Sequence, residues 1–373
     1  MYITSIKADG YKNLDGVDIV PDRGINILAG ENAQGKTNMI EAIWTMTGCH
    51  SFRGTRDRDI IGFEKQRADI SLTFEDAVRE QSISLAVKKG NIKDKDIYLN
   101  GVKVPLLSKL FGTLKCVVFT PEDLSLTKGS PDRRRSFVDL CASQLKPSFV
   151  YALNKYNSIL SQRNALIKDI SAGLAPKDTL GIWDEQLAKT GAYISVIRDI
   201  YCRSLNKYAS HLYDDITNGK EKLQLYYLSS IYDSIESTDF EGELSEIYLE
   251  KLRASVNEDI RVGYTLYGIH RDDLSIRIDG LLVRDFGSQG QQRSAAIAMK
   301  AAQAQIIRDE CKDPPVMLLD DVLSELDAGR REFILGRIPG MQVFITTCEL
   351  LNDMPKGAKI FKVEKGKIWV SNK

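Results

Sequence analysis

A glycine-rich loop that ends in a lysine and a threonine is the strongest chemical signal in the sequence. It reads Gly30-Glu31-Asn32-Ala33-Gln34-Gly35-Lys36-Thr37, followed by Asn38, and it matches the pattern G-x-x-x-x-G-K-[ST]. In such loops the glycines let the backbone wrap a polyphosphate, which faces successive N–H groups and a helix N-terminus. Lys36 would supply charge to the β- and γ-phosphates, and the Thr37 hydroxyl would bind Mg²⁺. The alternative is a glycine-rich turn with a chance Lys-Thr pair.

Two neighbouring carboxylates supply the second part of this chemistry. Asp320 and Asp321 follow the apolar run Val316-Met317-Leu318-Leu319, which predicts a buried strand. Beside a phosphate loop, one carboxylate would hold Mg²⁺ and the next would orient the attacking water. Many buried strands end in aspartate, so the pair indicates nucleotide hydrolysis only in combination with Lys36.

A second candidate anion site precedes this strand. Ser288, Gly290 and Gln291 begin a predicted helix, whose first N–H groups can face an anion. One γ-phosphate cannot easily be held by two such sites of one chain. Two chains packed head to tail can hold it, because each site then caps the nucleotide of the other chain. The alternative is that Ser288 is an ordinary helix N-cap.

The elements around these residues predict an α/β fold. Ile25-Asn26-Ile27-Leu28 is an apolar run that leads into the loop, and a helical pattern follows the loop as far as Gly48. Over residues 69–104 the apolar residues alternate, with a hairpin signal at Asn100-Gly101. This pattern predicts an antiparallel layer beside the strand that carries the loop.

The middle of the chain has a different character. From Ser130-Pro131 onwards the apolar residues recur mostly at helical spacing, which indicates helices. Within residues 183–213 they form a heptad seam that is broken at Gly191 and Arg198, and we interpret it as packing within one chain. We therefore predict a mostly helical arm over residues 126–270, inserted into a head domain formed by residues 1–125 and 271–373.

The composition excludes several classes of protein. No apolar run approaches the length of a membrane span, the first residues lack a signal-peptide pattern, and the six cysteines are scattered. These features predict a cytoplasmic protein with reduced thiols and no membrane partner. With 51 basic and 51 acidic residues the formal net charge is zero, so any contact with DNA must come from local patches.

Three basic clusters are candidates for such patches. They are Arg53, Arg56 and Arg58 in a polar loop, Lys88 and Lys89 near a strand turn, and Arg133-Arg134-Arg135 at the start of the arm. A solvated loop or strand face is the alternative for the first two clusters. The third cluster could equally brace the first helix of the arm.

The order of these features resembles that of the ABC-type P-loop ATPase heads. Five features follow one another as in those heads: the phosphate loop, the helical insertion, the S-x-G-Q segment, the Asp-Asp strand end and the segment Leu323-Ser324-Glu325-Leu326-Asp327. Among them, the chain resembles the RecF family of bacterial recombination-repair ATPases along essentially its whole length. The resemblance is carried by residues 121–139 (PEDLSLTKGSPDRRRSFVD), 268–273 (GIHRDD) and 287–293 (GSQGQQR).

The resemblance implies an ATP-dependent homodimer that binds DNA at single-strand gaps. It implies that RecO and RecR act with it to load the recombinase RecA. It also implies ATP and Mg²⁺ as cofactors and assigns roles by position. Lys36, Thr37 and Asp320 match ATP and Mg²⁺ ligands, and Asp321 matches the catalytic carboxylate. Ser288, Gly290 and Gln291 match the signature segment, which contacts the partner's nucleotide. Asp327 matches a residue of the interface loop, and Lys12 and Asn13 match a further nucleotide contact.

Two departures from related heads predict slow hydrolysis. Asp321 is one methylene shorter than the usual glutamate, and Thr346-Thr347 stand where a histidine usually follows the strand. Both changes should place the attacking water less well.

The alternative functions for the whole chain are a transport ATPase subunit and a chromosome-organising head. The sequence shows neither a segment that couples to a membrane protein nor an arm of hundreds of residues.

Overall fold

The computed structural model describes residues 1–49, 51–52, 59–90, 95–337, 340–348 and 357–371. The chain divides into two compact units. The first unit comprises Met1–Ser125 together with Arg293–Lys373, and the second comprises Leu126–Gln292.

The described residues form strands and helices in a mixed order. The strands are β1 (Tyr2–Asp9), β2 (Val17–Ile19), β3 (Ile25–Ala29), β4 (Arg67–Glu75), β5 (Glu80–Lys88), β6 (Lys95–Leu99), β7 (Val102–Val104), β8 (Cys116–Phe119), β9 (Leu223–Leu228), β10 (Asp273–Ile278), β11 (Leu281–Leu282), β12 (Val316–Asp320), β13 (Val343–Thr347), β14 (Lys359–Glu364) and β15 (Lys367–Val370). The helices are α1 (Lys36–Thr45), α2 (Pro131–Leu145), α3 (Pro147–Ser171), α4 (Gly181–Thr217), α5 (Glu243–Val262), α6 (Val283–Phe286), α7 (Gln289–Cys311) and α8 (Ala328–Gly336).

A mostly parallel sheet in the first unit aligns the strands that carry the candidate site. Its strand order is β15-β14-β3-β13-β12-β8, and β3, β13, β12 and β8 run parallel to their neighbours. Every residue of β12 and β13 is buried, as expected for central strands of a parallel sheet. Because parallel strands end at the same edge, the loop after β3 and the carboxylates at the end of β12 lie at one edge of the sheet.

An antiparallel sheet forms the second layer of the first unit. Its order is β2-β1-β4-β5-β6-β7. Ile70 and Leu72 are buried while their neighbours on β4 are partly exposed, as the period-two pattern predicts. The turn between β6 and β7 places Asn100 and Gly101 at positive φ, 51° and 77°, which is the hairpin turn that an Asn-Gly pair favours.

Helices dominate the second unit, and both breaks in the heptad seam of α4 have a structural reason. A side chain at Gly191 would place its Cβ 2.4 Å from the ring of Tyr248 on α5, so only glycine allows this approach. Arg198 is buried and donates two hydrogen bonds to the Asp139 carboxylate on α2, at 2.7 and 2.9 Å. The seam therefore packs inside one chain, with one of its positions given to a buried ion pair.

The second boundary between the units differs from the predicted one. Residues 271–292, which the sequence assigns to the head, lie in the second unit. The cause is pairing at long range, because β10 forms an antiparallel ladder with β9 along its whole length. Arg134 on α2 reinforces this arrangement through bonds of 2.7 Å from its Nε and Nη2 atoms to the Asp273 carboxylate.

The first helical stretch of the second unit also breaks where the apolar spacing alone predicts continuity. Pro147 begins α3 directly after Lys146, which has an extended backbone, because a residue before proline is driven out of the helical region.

The arginines at the start of α2 bond to the chain at the start of β10. Arg135 donates to the Asp272 carbonyl at 2.5 Å. Arg134 and Arg135 thus brace α2, as one of the two readings of the cluster predicts.

No helix among the described ranges has the length and apolar character that a bilayer crossing requires.

Candidate functional site

The phosphate loop connects β3 to α1 with a tightly constrained backbone. A Cβ at Gly30 would lie 2.2 Å from the carbonyl oxygen of Val363, so the loop begins where only glycine fits. Gly35 has φ of 118° and directly precedes Lys36, the first residue of α1. The first N–H groups of α1, which have no acceptor one turn earlier within the helix, therefore face the loop, where they can receive an anion.

The Lys36 ammonium lies inside this loop. Its Nζ donates to the carbonyl oxygens of Gly30 at 2.6 Å and Glu31 at 2.8 Å, and it lies 3.5 Å from the Cys348 sulfur. Lys36 is only 6% exposed. A positive charge is thus held in the concavity of the backbone, which is the arrangement that a polyphosphate requires.

Residues from distant parts of the chain hold the outer side of the loop in place through hydrogen bonds to Asn32 and Gln34. The Gln34 side chain accepts from the Lys365 N–H at 2.6 Å, and the Gln34 carbonyl accepts from the Gly366 N–H at 2.9 Å. Asn32 accepts a bond from the Cys348 thiol at 2.9 Å, and Ala33 has φ of 62°. The turn between β14 and β15 therefore fixes the outer side of the loop.

Thr37 and Asp320 meet at the edge of the parallel sheet. The Thr37 hydroxyl donates to Asp320 Oδ1 at 2.9 Å, and the Thr346 hydroxyl donates to the same oxygen at 2.8 Å. Asp321 follows with φ of 53°, and its N–H donates to the Thr346 hydroxyl oxygen at 2.9 Å. The structure thus brings together the loop threonine and the strand-end carboxylates that the sequence predicts as neighbours.

The donor set formed by Thr37 and Asp320 fits Mg²⁺. Both contribute hard oxygen atoms, and Mg²⁺ is usually held by one or two carboxylates together with substrate phosphates rather than by a protein cage. Consistent with this, the described residues contain no group of three or more His, Cys, Asp or Glu side chains able to hold a metal. A metal at this site would therefore depend on a nucleotide for the rest of its ligands.

A cleft of about 730 Å³ opens beside the loop. Its lining includes the predicted residues Asn32, Ala33, Gly35, Lys36, Thr37, Asn38, Lys12, Asn13 and Asp321. It also includes Thr346, which was singled out above, and four residues whose roles the sequence does not reveal, namely Asp59, Ile61, Gly62 and Phe63. The Phe63 ring is fully exposed. It offers an apolar surface suited to the base of a nucleotide.

Lys12 and Asn13 both contribute to this cleft, but Lys12 is also tied to a carboxylate. The Lys12 ammonium forms an ion pair with Glu41, whose side chain is completely buried in α1. Asn13 donates to the Ala33 carbonyl at 3.2 Å and accepts from the Asn38 side chain at 2.7 Å. Asn13 therefore connects the loop to the first turn of α1, while Lys12 neutralises the buried Glu41 carboxylate on the same helix.

Ser288 and Gln291 form a reciprocal cap at the start of α7 in the second unit. The Gln291 N–H donates to the Ser288 hydroxyl oxygen at 3.2 Å, and the Ser288 N–H donates to the Gln291 side chain at 2.8 Å. This is a capping box, so Ser288 is the N-cap that the alternative reading predicts. Gly290 follows in the first turn of the same helix. Ser288 is exposed, and its capping bond uses a lone pair rather than the hydroxyl hydrogen.

The basic clusters predicted to contact DNA have different outcomes. Arg53, Arg56 and Arg58 lie outside the described residues. Lys88 is exposed at the end of β5. Lys89 instead lines the cleft, and its ammonium donates to the Phe63 carbonyl at 3.4 Å. Lys89, which directly follows β5, therefore lies beside Phe63 at the cleft.

Asp327 caps the helix that follows the strand-end carboxylates. Its side chain accepts from the Arg330 N–H at 2.9 Å, and this bond holds the pKa of the Asp327 carboxyl below its usual value. Arg330 also donates to Ser294 on α7 at 3.0 Å, and Arg293 donates to the Glu325 carbonyl at 3.0 Å. Two arginines thus fasten the 323–327 segment to α7.

The chain is similar to known proteins along nearly its whole length. The chain matches the family model for the RecF/RecN/SMC N terminal domain over residues 2–368. The "DNA replication and repair protein RecF" of Halothermothrix orenii is 40% identical over 374 residues, which cover 99% of this chain and 98% of that protein. The protein of the same name from Clostridium acetobutylicum is 37% identical over 372 residues, 99% of each chain.

Solved structures extend the likeness to the fold. The "recombination mediator protein RecF-ATPrS in RecFOR pathway" has a TM-score of 0.93 against this chain at 34% identity, with 100% of this chain and 98% of that chain covered. The predicted fold class is confirmed, namely an α/β ABC-type P-loop ATPase head with an antiparallel layer and an inserted helical region. Together with the full-length sequence matches, this shows that the chain belongs to the RecF family.

Proposed function

We propose that this chain is an ATP-dependent DNA-binding protein that dimerises on ATP and acts at single-strand gaps in recombinational DNA repair. The main support is the Lys36 loop joined to Asp320 through Thr37, in a chain of the RecF family. Relatives carry the name of DNA replication and repair proteins, and one was solved as a recombination mediator with ATP. The chain would act in the cytoplasm with RecO and RecR to help load RecA.

ATP would occupy the cleft with its phosphates in the loop. Lys36 and the first N–H groups of α1 would hold the β- and γ-phosphates, and Thr37 and Asp320 would hold Mg²⁺. The metal would neutralise charge on the phosphates during transfer. Asp321, which also lines the cleft, would orient the attacking water. Ile61 and Phe63 would lie against the base.

The signature segment would act on the nucleotide of a second copy. Ser288 is exposed, and its hydroxyl hydrogen remains available for an anion because the capping bond uses a lone pair. The first N–H groups of α7, including that of Gly290, would add donors. The capping box supports this role, since it fixes the serine at the helix start. A complete site would then need the loop of one copy and the signature of the other.

We expect ATP hydrolysis by the isolated protein to be slow. Asp321 is shorter than a glutamate, and Thr346-Thr347 stand where a histidine usually follows the strand in related heads, so the water is less well oriented. Turnover without DNA or partners should fall below the range of about 1–1000 per second that is usual for enzymes. Steady-state phosphate release measures it, and many turnovers per second from purified protein would contradict this role as a slow reset.

Binding to gapped DNA tests the proposed function directly. Fluorescence anisotropy of a labelled gapped duplex should show tighter binding with ATP than with ADP, and weaker binding to an ungapped duplex. The affinity should fall steeply with salt, because lysine and arginine contacts to phosphates release counterions. The candidate contacts are Lys88 and Lys89, together with Arg53, Arg56 and Arg58. Equal affinity with ATP, with ADP and without nucleotide would show that ATP does not control DNA binding.

A further inference from the structure

We propose that Thr346 is a positioning residue for ATP hydrolysis, which sets the orientation of both strand-end carboxylates at once. The proposal rests on the proposed function, in which Asp320 holds the metal and Asp321 orients water. Thr346 lies on β13 directly opposite Asp320 in the parallel ladder. It is 2% exposed, yet it reaches the lining of the cleft.

The direction of both hydrogen bonds at Thr346 is fixed by chemistry. The Asp321 N–H can only donate, so the Thr346 hydroxyl oxygen must accept it at 2.9 Å. The single hydroxyl hydrogen then points to Asp320 Oδ1 at 2.8 Å. A threonine hydroxyl satisfies this pair of demands, because it is both donor and acceptor.

Each bond has its own consequence at the site. Asp320 Oδ1 accepts from Thr37 as well as from Thr346, and two hydroxyl donors on one oxygen hold the carboxylate in one orientation. Asp321 adopts φ of 53°, a left-handed conformation that residues other than glycine rarely adopt. The bond from its N–H to Thr346 stabilises this turn, which brings Asp321 to the cleft.

A purely structural role predicts different behaviour from a positioning role. Thr346→Val keeps the β-branched shape that suits a buried strand and removes only the hydroxyl. Thr346→Ser keeps the hydroxyl and loses a methyl group. If Thr346 only fills space, the valine variant should be the milder change. If it positions the carboxylates, the serine variant should be the milder change.

The test measures nucleotide affinity and hydrolysis in the full chain. A fluorescent ATP analogue is titrated with Mg²⁺ and with EDTA. In the wild type, Mg²⁺ should increase the affinity for the ATP analogue. In Thr346→Val most of this increase should disappear, which is a loss of about tenfold for one charge-assisted bond. The affinity measured in EDTA should be unchanged. The single-turnover rate should fall roughly a hundredfold with both carboxylates misplaced. KM with Mg²⁺ should rise with the loss of affinity, because KM approaches Kd when hydrolysis is slow. Thr346→Ser should restore both quantities to within a few-fold.

Controls separate this proposal from the proposed function. Thr73→Val on β4 removes a hydroxyl bonded to Thr4 at 2.9 Å, outside the cleft, and should behave as wild type. A Thr346→Val variant with wild-type metal dependence and hydrolysis overturns the positioning role alone. The same holds if Thr346→Ser is as impaired as Thr346→Val, or if Thr346→Val weakens metal-free binding. A wild type that neither binds nor hydrolyses ATP overturns the proposed function itself.

Discussion

Lys36→Ala is expected to weaken ATP binding at least about a hundredfold, because each charge-assisted hydrogen bond to a phosphate contributes about 1.5–3 kcal/mol. The Lys36 ammonium is already bonded to the Gly30 and Glu31 carbonyls at 2.6 and 2.8 Å. A bound triphosphate would therefore meet a charge that is in place before binding. Titration with a fluorescent ATP analogue measures the loss.

The control for this variant is another lysine of the same unit. Lys7 on β1 is exposed and pairs with Asp18 at 2.9 Å, and it does not line the nucleotide cleft. Lys7→Ala should bind ATP as the wild type does. Thermal unfolding of both variants checks that the fold is retained. Undiminished ATP affinity in a folded Lys36→Ala protein would show that the loop is not the phosphate site.

Ser288→Arg is expected to abolish ATP-dependent dimerisation while ATP affinity stays within about threefold of the wild type. The long side chain would fill the space where a partner's phosphates approach the start of α7. Hydrolysis should fall at least about a hundredfold, as it does when one transition-state donor is removed. Loss of the cap costs only about 1 kcal/mol, so the variant should fold. Light scattering and phosphate release measure the two effects.

Two matched variants distinguish the cap from the signature. Ser288→Thr keeps a hydroxyl at the N-cap and should retain dimerisation. Ser234→Arg places the same large cation at an exposed serine of the second unit and should behave as wild type. If Ser288→Arg dimerises normally with ATP, Ser288 is only the N-cap of α7 and the reading of a shared site is wrong.

The parts of the site that lie close together in the sequence were predictable. Gly30 to Thr37 form one turn between one strand and one helix, so local pattern and backbone chemistry suffice. Asp320 was predictable too, because an apolar run that ends in a carboxylate places that carboxylate at the edge of a parallel sheet. The N-cap at Ser288 is likewise a local feature, which the sequence offers as the alternative interpretation.

The rest depends on contacts between distant segments. Phe63 and Lys89 lie together at the cleft, where the Lys89 ammonium donates to the Phe63 carbonyl, and nothing in the sequence around either residue signals this. Residues 271–292 join the second unit through the β9–β10 ladder, which period-two alternation alone cannot assign to a partner strand. The role of Thr346 also appears only once β12 and β13 are in register. Thus the sequence yields the chemistry of each segment, and tertiary pairing decides which segments share a site.

The central claim is that each complete ATP site is assembled from two copies of the chain, and mixing two inactive variants tests it most directly. Lys36→Ala cannot hold ATP but keeps its signature segment. Ser288→Arg holds ATP but has lost that segment. Fluorescently labelled samples of the two variants should associate when mixed with ATP, because the mixed dimer contains one intact site, and neither variant should associate alone. A mixture that associates no more than its separate components would contradict the account.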